Sequence, residues 1–428
     1  MFKQMKDIEL YFEQRQHLGV KPGLSRIRML LDHLDNPQTK FQAIHVAGTN
    51  GKGSTIHFIK QALMANGYRV GWFTSPSFTG LTGHIFLNQQ PISEEEWMTI
   101  FREIYPIIEK MDQQNNHPTN FEILTAMAFV FFTRGTDLVL LETGMGGKED
   151  TTNCIVPLLS IITNVSKDHT GFLGDTLTEI ASHKAGIIKT ETPVIVGEMN
   201  ESAFAVIERE AHMKHANVYK LSTDFTYTNV KISHHQSSFT WSDGSKDELQ
   251  VSLTMAGVHQ VHNATVAIKA LKLLEKYGLM FDWKQALMGI QETQVPGRFE
   301  RVSEQPMVIL DGAHNVAGMD AFLQTVTHEA IGHKKHLVFA GFQDKELLKM
   351  IHQCLPHFDT VIWTSFDHSR AASHEAIMNV LTTEQIKVID DWQEALDDLL
   401  VNAHKEDTVY ITGSLHFISL VRKYFNTK

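Results

Sequence analysis

Short apolar runs alternate with amphipathic stretches along the first part of the chain. The runs at 43–47 and 138–142 are apolar in all but one position each, and Ile56, Ile59 and Leu63 follow the first run at helical spacing. Short runs of this kind favour buried strands, whereas apolar residues three or four positions apart favour helices. Their alternation predicts an α/β fold in which helices pack against a mainly parallel sheet.

A glycine-rich segment joins the first predicted strand to the helix after it. This segment, the glycine loop (residues 48–54), reads Gly-Thr-Asn-Gly-Lys-Gly-Ser. Glycines allow several backbone N–H groups and the positive end of the helix to face one anion, and Lys52 adds a point charge. The loop therefore predicts a nucleotide-phosphate site of the P-loop type. Val46 stands where the standard motif has a glycine and the expected hydroxyl is displaced to Ser54, so a plain glycine turn is the alternative.

Polar residues stand at the ends of other predicted strands. Ser75, Glu142 and the pair Asp168-His169 each end a predicted strand or follow it closely. The carboxyl ends of parallel strands line the ligand crevice of such sheets, so Glu142 is suited to hold Mg²⁺ beside the phosphates. A cap of the next turn is the alternative for Glu142. His169 is one of 24 histidines, most of which we expect to be solvated.

The length of the chain and its turn residues predict two domains. A chain of 428 residues exceeds the usual size of one hydrophobic core. Turn residues at Val295-Pro296-Gly297 place the boundary between domains 1–295 and 296–428. The first domain carries a small β appendage, predicted from the β-rich stretch at 218–253. The second is predicted to be a Rossmann-like α/β domain from four further strands, at 307–310, 337–341, 360–363 and 408–412.

Composition limits the partners of the protein. The 38 basic and 49 acidic side chains give a net charge of −11, which argues against nucleic acid or an anionic membrane as the main partner. The two cysteines, Cys154 and Cys354, lie far apart and favour a reducing compartment. No apolar run is long enough to cross a bilayer. We expect a cytoplasmic monomer that acts on small molecules.

Taken in order, the motifs resemble the folylpolyglutamate synthase and dihydrofolate synthase family of the Mur ligase superfamily. The resemblance extends over roughly residues 20–420 and is more specific than any single motif. The motifs are Gly48-Thr-Asn-Gly-Lys-Gly-Ser54, Thr74-Ser-Pro76, Glu142-Thr-Gly-Met-Gly-Gly147, Asp168-His169, Lys184-Ala-Gly-Ile-Ile-Lys189, His259-Gln260 to Asn263, Pro296-Gly-Arg-Phe299 and Asp311-Gly-Ala-His-Asn315.

The resemblance implies a role for each matching position. Lys52, Glu142, His169 and Lys184 would form the catalytic set. Two magnesium ions would be bound, one by Ser54 and Glu142 and the other by Ser75, His169 and the shared Glu142. Lys184 matches a lysine that becomes carbamylated in the family. The residues implied to contact ATP are Gly48, Thr49, Asn50, Gly51, Lys52, Gly53, Ser54, Asn263, Arg298, Asp311 and His314.

The resemblance also implies a reaction. A folate-type carboxylate, of dihydropteroate or of a reduced folylglutamate, would attack the γ-phosphorus of ATP and form an acyl phosphate. The amine of L-glutamate would then displace phosphate and form an amide. Two magnesium ions and Lys52 suit the charge that gathers on the transferred phosphoryl group.

Two departures from the family pattern concern the acceptor side. Ser77 follows Ser75-Pro76 where the family commonly has a histidine, and Thr82-Gly83-His84-Ile85 stands where it commonly has Asn-Glu-Arg-Ile. The missing arginine removes a possible carboxylate clamp. Lys148-Glu149-Asp150 in place of Arg-Leu-Asp is a milder change.

Three rival functions stay open at this point. A catalytically altered ATP- or folate-binding paralogue would explain the altered segment but not the retained Lys52, Glu142, His169 and Lys184. A Mur-type ligase with another acceptor would share the ATP machinery. Peptidoglycan ligases, however, carry a sugar-nucleotide domain before the loop, and only 47 residues precede Gly48. A small-molecule kinase is disfavoured by the cluster at 311–315.

Overall fold

Residues 2–77, 79–233, 236–328, 334–373 and 386–427 are described by a computed structural model. They cluster into two compact units. The first consists of Met1–Thr226, Trp241–Glu248 and His262–Ile290, and the second of Tyr227–Thr240, Leu249–Val261 and Gln291–Lys428. Most of the β-rich segment therefore clusters with the second unit. The division at residue 296 stays a prediction.

An eight-stranded sheet forms the centre of the first unit. Its strands are β1 (Ala43–Ala47), β2 (Val70–Phe73), β3 (Ile85–Leu87), β4 (Gln90–Pro91), β5 (Leu138–Glu142), β6 (Leu159–Ile162), β7 (Val194–Val196) and β8 (Val218–Lys220). They lie in the order β4-β3-β2-β5-β1-β6-β7-β8. Strands β2, β5, β1, β6, β7 and β8 are parallel, and β3 and β4 extend the edge antiparallel. The ends of β5 and β6 therefore flank the end of β1.

Helices cover the sheet of the first unit because each has an apolar face to bury. In α4, buried residues such as Trp97, Ile100 and Ile104 recur at helical spacing, whereas α5 is buried along almost its whole length. The helices are α1 (Met5–Gln14), α2 (Ser25–Asp32), α3 (Lys52–Ala65), α4 (Glu94–Gln113), α5 (Asn120–Phe132), α6 (Thr170–Leu173), α7 (Leu177–Ala185) and α8 (Glu201–Met213). One apolar core contains residues of α1, α2, α4 and α5, and another contains residues of α7 and α8.

A β-rich segment and two helices follow in the chain. Strands β9 (Thr226–Ser233), β10 (Gln236–Ser242) and β11 (Leu249–Leu253) form a separate sheet in the order β11-β10-β9. Helices α9 (Val258–Leu274) and α10 (Trp283–Gln291) come next. This sheet lies in the β-rich stretch that the sequence predicts as a small β appendage of the first domain, but most of it clusters with the second unit.

The second unit contains a six-stranded sheet. Its strands are β12 (Glu300–Glu304), β13 (Met307–Leu310), β14 (Lys335–Phe339), β15 (Thr360–Ser365), β16 (Ile386–Asp391) and β17 (Thr408–Thr412), in the order β12-β13-β17-β14-β15-β16. All neighbours are parallel except β12 and β13. The described helices between and after them are α11 (Val316–His328), α12 (Leu347–Cys354), α13 (Trp392–Asn402) and α14 (Leu415–Thr427).

The predicted fold class is confirmed. The strands predicted at 43–47, 138–142, 307–310 and 408–412 have the bounds of β1, β5, β13 and β17. Strand β14 begins and ends two residues before the predicted strand at 337–341, because Lys335 and His336 pair with Thr408 and Val409 of β17. Glu122 and Thr119 cap the start of α5, because the side chain of each accepts the backbone N–H of the other.

Among the described helices, none has both the length and the apolar character that crossing a bilayer requires.

Candidate active site

The glycine loop is held in place by residues that follow β6. The backbone N–H groups of Thr49 and Asn50 donate to the carbonyl and side-chain oxygens of Asn164, at 3.1 and 2.9 Å. The hydroxyl of Thr163 donates to the carbonyl of Asn50 at 2.6 Å. The loop conformation is thus fixed by bonds within the protein, which leaves it preorganised for an anion. Gly51 precedes α3 and has no side chain that could cap the first-turn N–H groups.

Lys52 and Glu142 meet beside the loop. Lys52 Nζ donates to the carbonyl of Gly48 at 3.1 Å and lies 4.0 Å from a carboxylate oxygen of Glu142. Both side chains are largely buried, with 15% and 7% of their surface exposed. Glu142 ends β5, which pairs with β1 so that Glu142 lies opposite Val46. Strand pairing therefore brings the predicted acid to the predicted lysine. Ser54 is buried in the first turn of α3.

Thr74 contacts the same carboxylate and is a site residue that sequence reasoning missed. Its hydroxyl donates to Glu142 Oε2 at 2.5 Å. Ser75, the predicted ligand at this strand end, is half-buried and next to it in the chain. Because β2 neighbours β5 in the sheet, the residues after β2 reach the end of β5. The sequence does contain a signal for this role, because Thr74 has a hydroxyl and directly precedes the predicted ligand Ser75.

Lys184 is buried on α7, although a lysine on a helix is ordinarily exposed. Only 2% of its surface is accessible. Burial and the positive charge of Lys52 together lower the pKa of its ammonium to about 7, although the charge of Asp168 opposes the shift. The turn after β5 packs closely on α7, since a Cβ at Gly147 would approach the carbonyl oxygens of His183 and Lys184 at 2.8 and 3.1 Å. With a pKa of about 7, the Lys184 side chain is a neutral amine in a large fraction of the molecules at pH 7.

Asp168 and His169 stand where the chain enters α6. Asp168 is buried and accepts the backbone N–H of His169 at 2.8 Å, whereas 38% of the His169 side chain is exposed. The imidazole Nε2 lies 3.9 Å from the Asp168 carboxylate. His169 has a φ of +51°, in the left-handed region that non-glycine residues seldom occupy. The role of His169 as a metal ligand stays a prediction.

Asn263 packs directly on the glycine loop. Gly51 has a φ of +83°, and a Cβ at this position would overlap the side-chain oxygen of Asn263. The structure thus brings Asn263, which is far from the loop along the chain, into contact with it. Glycine is required at position 51 for both its backbone angle and its closeness to Asn263.

The three predicted residues of the second unit also lie together. Asp311 accepts the backbone N–H groups of Phe299 and Ala313 at 3.0 and 2.9 Å. Burial raises the pKa of Asp311, and the nearby charge of Arg298 opposes that shift. The guanidinium of Arg298 lies against Gly312, where a Cβ would be 2.7 Å from Nη1. His314 Nδ1 donates to the carbonyl of Gly312 at 2.7 Å.

The donor set near the glycine loop fits magnesium. Mg²⁺ prefers oxygen ligands and is usually bound by one or two carboxylates together with phosphate and water oxygens. The buried Glu142 carboxylate accepts the hydroxyl of Thr74, Ser75 is the next residue in the chain, and Ser54 lies in the first turn of α3 after the loop. In the described part of the chain, no group of three or more His, Cys, Asp or Glu side chains is placed to hold a metal ion. An ion here would therefore need phosphate and water oxygens to complete its shell.

Family models match both parts of the chain. The Mur ligase middle domain matches residues 46–271, and the glutamate ligase domain of Mur ligases matches residues 297–415. Together with a parallel sheet and a lysine-bearing glycine loop, these matches define an ATP-dependent ligase of the Mur ligase superfamily.

Individual relatives indicate which family of this superfamily the chain belongs to. The chain is 36% identical over 431 residues to dihydrofolate synthase/folylpolyglutamate synthase of Bacillus subtilis, with 99% of each chain covered. It is 32% identical to folylpolyglutamate synthase of Lacticaseibacillus casei, with 93% of each covered. Folylpolyglutamate synthase of Mycobacterium tuberculosis, solved with ADP and AMPPCP, superposes with a TM-score of 0.90 at 30% identity, over 98% of both chains. The chain belongs to the folylpolyglutamate synthase and dihydrofolate synthase family.

Proposed function

We propose that this protein joins L-glutamate to the carboxylate of a folate-type acceptor, dihydropteroate or a reduced folylglutamate or both, with ATP as the energy source. The observation that carries the proposal is the approach of Lys52 to the buried Glu142 beside the glycine loop. Both groups are suited to a transferred phosphoryl group, the lysine as a cation and the acid as a metal ligand.

The reaction needs positioning more than covalent catalysis by the protein. An acceptor carboxylate oxygen forms a bond to the γ-phosphorus as the bond to ADP breaks, which gives an acyl phosphate. The glutamate amine then forms a bond to the acyl carbon, loses a proton, and phosphate leaves. Lys52 and the backbone N–H groups of the loop would stabilise charge on the phosphoryl oxygens during the first step.

Magnesium would supply further charge neutralisation at the phosphates when bound. Ser54 and Glu142 would hold one ion, and Ser75 and His169 would hold a second together with Glu142. The buried Glu142 keeps its carboxylate close to Lys52, and the hydroxyl of Thr74 fixes one of its oxygens. These residues would therefore orient the donor set before a nucleotide arrives.

Carbamylation of Lys184 is part of the proposal. A neutral amine forms a bond to the carbon of CO₂ and releases a proton, so a lysine becomes a carboxylate. The lowered pKa of Lys184 makes the neutral amine available, and Lys52 nearby would attract the new negative charge. Asn263, Arg298, Asp311 and His314 are proposed as further nucleotide contacts.

We place the protein in the cytoplasm as a monomer. The free thiols of Cys154 and Cys354 support a reducing compartment. The partners would be small molecules only, with no nucleic acid or membrane surface among them.

The proposal is tested by incubating the protein with ATP, Mg²⁺, L-glutamate and either dihydropteroate or a reduced folate, and measuring phosphate and amide product. Equal amounts of phosphate and amide with at least one acceptor are expected. Phosphate without amide in both mixtures, or no turnover, would exclude the ligase function.

Glu142→Gln tests the role of the carboxylate, because it keeps the shape of the side chain and removes its charge. We expect kcat to fall by about a hundredfold or more, as for the loss of an electrostatic group at a phosphoryl-transfer site. Glu149→Gln is the matched control, since Glu149 is exposed in the same turn. A near-native rate for Glu142→Gln would reject its role as a metal ligand.

A further inference from the structure

The segment that departs from the family pattern makes a specific contact with the site. His84 ends a short 3₁₀ turn at Leu81–His84, directly before β3. Its ring nitrogen Nδ1 lies 2.8 Å from the carbonyl oxygen of Thr74. A carbonyl only accepts hydrogen bonds, so Nδ1 carries the proton and donates it.

The main chain of Thr74 is held at both of its polar groups by His84. The Thr74 N–H donates to the carbonyl of His84 at 3.1 Å, and the Thr74 carbonyl accepts from the His84 ring. The side chain of Thr74 points to the site, where its hydroxyl donates to Glu142 Oε2 at 2.5 Å. Two hydrogen bonds therefore connect the His84 ring to the Glu142 carboxylate through one residue.

The hydroxyl of Ser77 makes hydrogen bonds to the main chain of the turn before His84. Ser77 Oγ donates to the carbonyl of Gly80 at 2.5 Å and accepts the N–H of Thr79 at 3.1 Å. A Cβ at Gly83 would overlap the hydroxyls of Ser77 and Thr79. A larger residue at position 83 would therefore displace the hydroxyls of Ser77 and Thr79.

We propose that His84 is a positioning residue for the ligase reaction: its ring holds the Thr74-Ser75 main chain so that the Thr74 hydroxyl orients the Glu142 carboxylate. This inference rests on the proposed function. His84 acts through Thr74 and needs no contact with a substrate. Loss of the ring donor frees the Thr74 carbonyl and lets the strand end shift, and small shifts of catalytic groups lower rates strongly.

Three substitutions distinguish the effect of losing the hydrogen-bond donor of His84 from the effect of losing its ring. In His84→Asn the amide nitrogen is attached to Cγ, as Nδ1 is in histidine, so it can donate to the Thr74 carbonyl. In His84→Gln the donor lies one bond further out and misses that position. In His84→Phe the ring remains and the donor is lost.

We expect the variants to differ according to whether they keep a hydrogen-bond donor at the position of Nδ1. We expect His84→Phe and His84→Gln to lower kcat by about tenfold and to raise the Mg²⁺ concentration for half-maximal rate, while His84→Asn stays within about threefold of native in both. A second readout needs no turnover: calorimetric titration of Mn²⁺ into the protein with saturating ADP. Mn²⁺ affinity should fall by about fivefold in the Phe and Gln variants and recover in the Asn variant.

His33→Phe is the control, because His33 is exposed and its Nδ1 also donates to a carbonyl, that of Met29 at 2.9 Å. Native kcat and Mn²⁺ affinity are expected for it. The inference is overturned if His84→Phe matches native in both readouts, or if His84→Asn is as defective as His84→Gln. If the native chain formed no amide, the proposed function would fail, and the Mn²⁺ titration would still decide the role of His84.

Discussion

At the scale of single residues, burial determines which chemistry is available. Lys184 would be an ordinary cation on an exposed helix, but its burial near Lys52 lowers its pKa to about 7. The local sequence gives no sign of this burial, because it depends on the turn after β5 packing on α7. The resemblance alone singled out Lys184.

Substitution of Lys184 tests its carbamylation. Labelled ¹³C-bicarbonate should produce a carbamate signal in the NMR spectrum of the native protein and none in Lys184→Gln. We expect kcat of this variant to fall by about a hundredfold, because an uncharged amide cannot replace a carboxylate near the phosphates.

Lys189→Gln is the control for this experiment, since Lys189 is a partly buried lysine whose ammonium donates to the carbonyl of Asn153 at 3.1 Å. It should keep the carbamate signal. A native spectrum without that signal, or an equal signal from Lys184→Gln, would contradict carbamylation.

At the scale of elements, strand β1, which precedes the glycine loop, contains a polar residue that is buried in the core. His45 is fully buried in the middle of the strand, and its Nε2 lies 2.8 Å from the hydroxyl of Thr152. That hydroxyl donates to Asp150 at 2.5 Å, so it accepts from Nε2. Burial lowers the pKa of His45 to about 3.

This histidine predicts a loss of stability in acid. The unfolded chain binds a proton at His45 near its ordinary pKa of about 6.5, whereas the folded chain does not until the pH falls to about 3. The free energy of unfolding should therefore decrease as pH falls through this window, by up to about 1.4 kcal/mol per pH unit from this group.

His45→Gln removes the titration and keeps a donor at the position of Nε2. The free energy of unfolding, measured by urea denaturation, should decrease between pH 7.5 and pH 5 by about 2 kcal/mol less in the variant than in the native protein. Exposed His33→Gln should follow the native protein. If the free energy of unfolding depends equally on pH in the native protein and in His45→Gln, the buried His45 is not the cause of the acid sensitivity.

At the scale of the whole molecule, much of the fold could be predicted because its strands are short apolar runs between helical patterns. The bounds of β1, β5, β13 and β17 came directly from such runs. The ordered polar clusters likewise led to Lys52 and Glu142, which the structure brings to 4.0 Å.

What sequence reasoning missed depends on strand order, which local patterns do not encode. Thr163 and Asn164 hold the glycine loop because β6 neighbours β1, and Thr74 reaches Glu142 because β2 neighbours β5. The same applies to the clustering of most of the β-rich segment with the second unit. The metal roles of Ser75 and His169 stay predictions.

The proposed reaction depends on activation of the acceptor carboxylate by phosphorylation. In that reaction one oxygen of the carboxylate leaves with phosphate when the glutamate amine attacks the acyl carbon. The most direct test uses an acceptor labelled with ¹⁸O in its carboxylate and follows the label in phosphate by mass spectrometry. If the carboxylate is activated in this way, each phosphate released with amide product carries one ¹⁸O atom. Amide formation with unlabelled phosphate would contradict this activation.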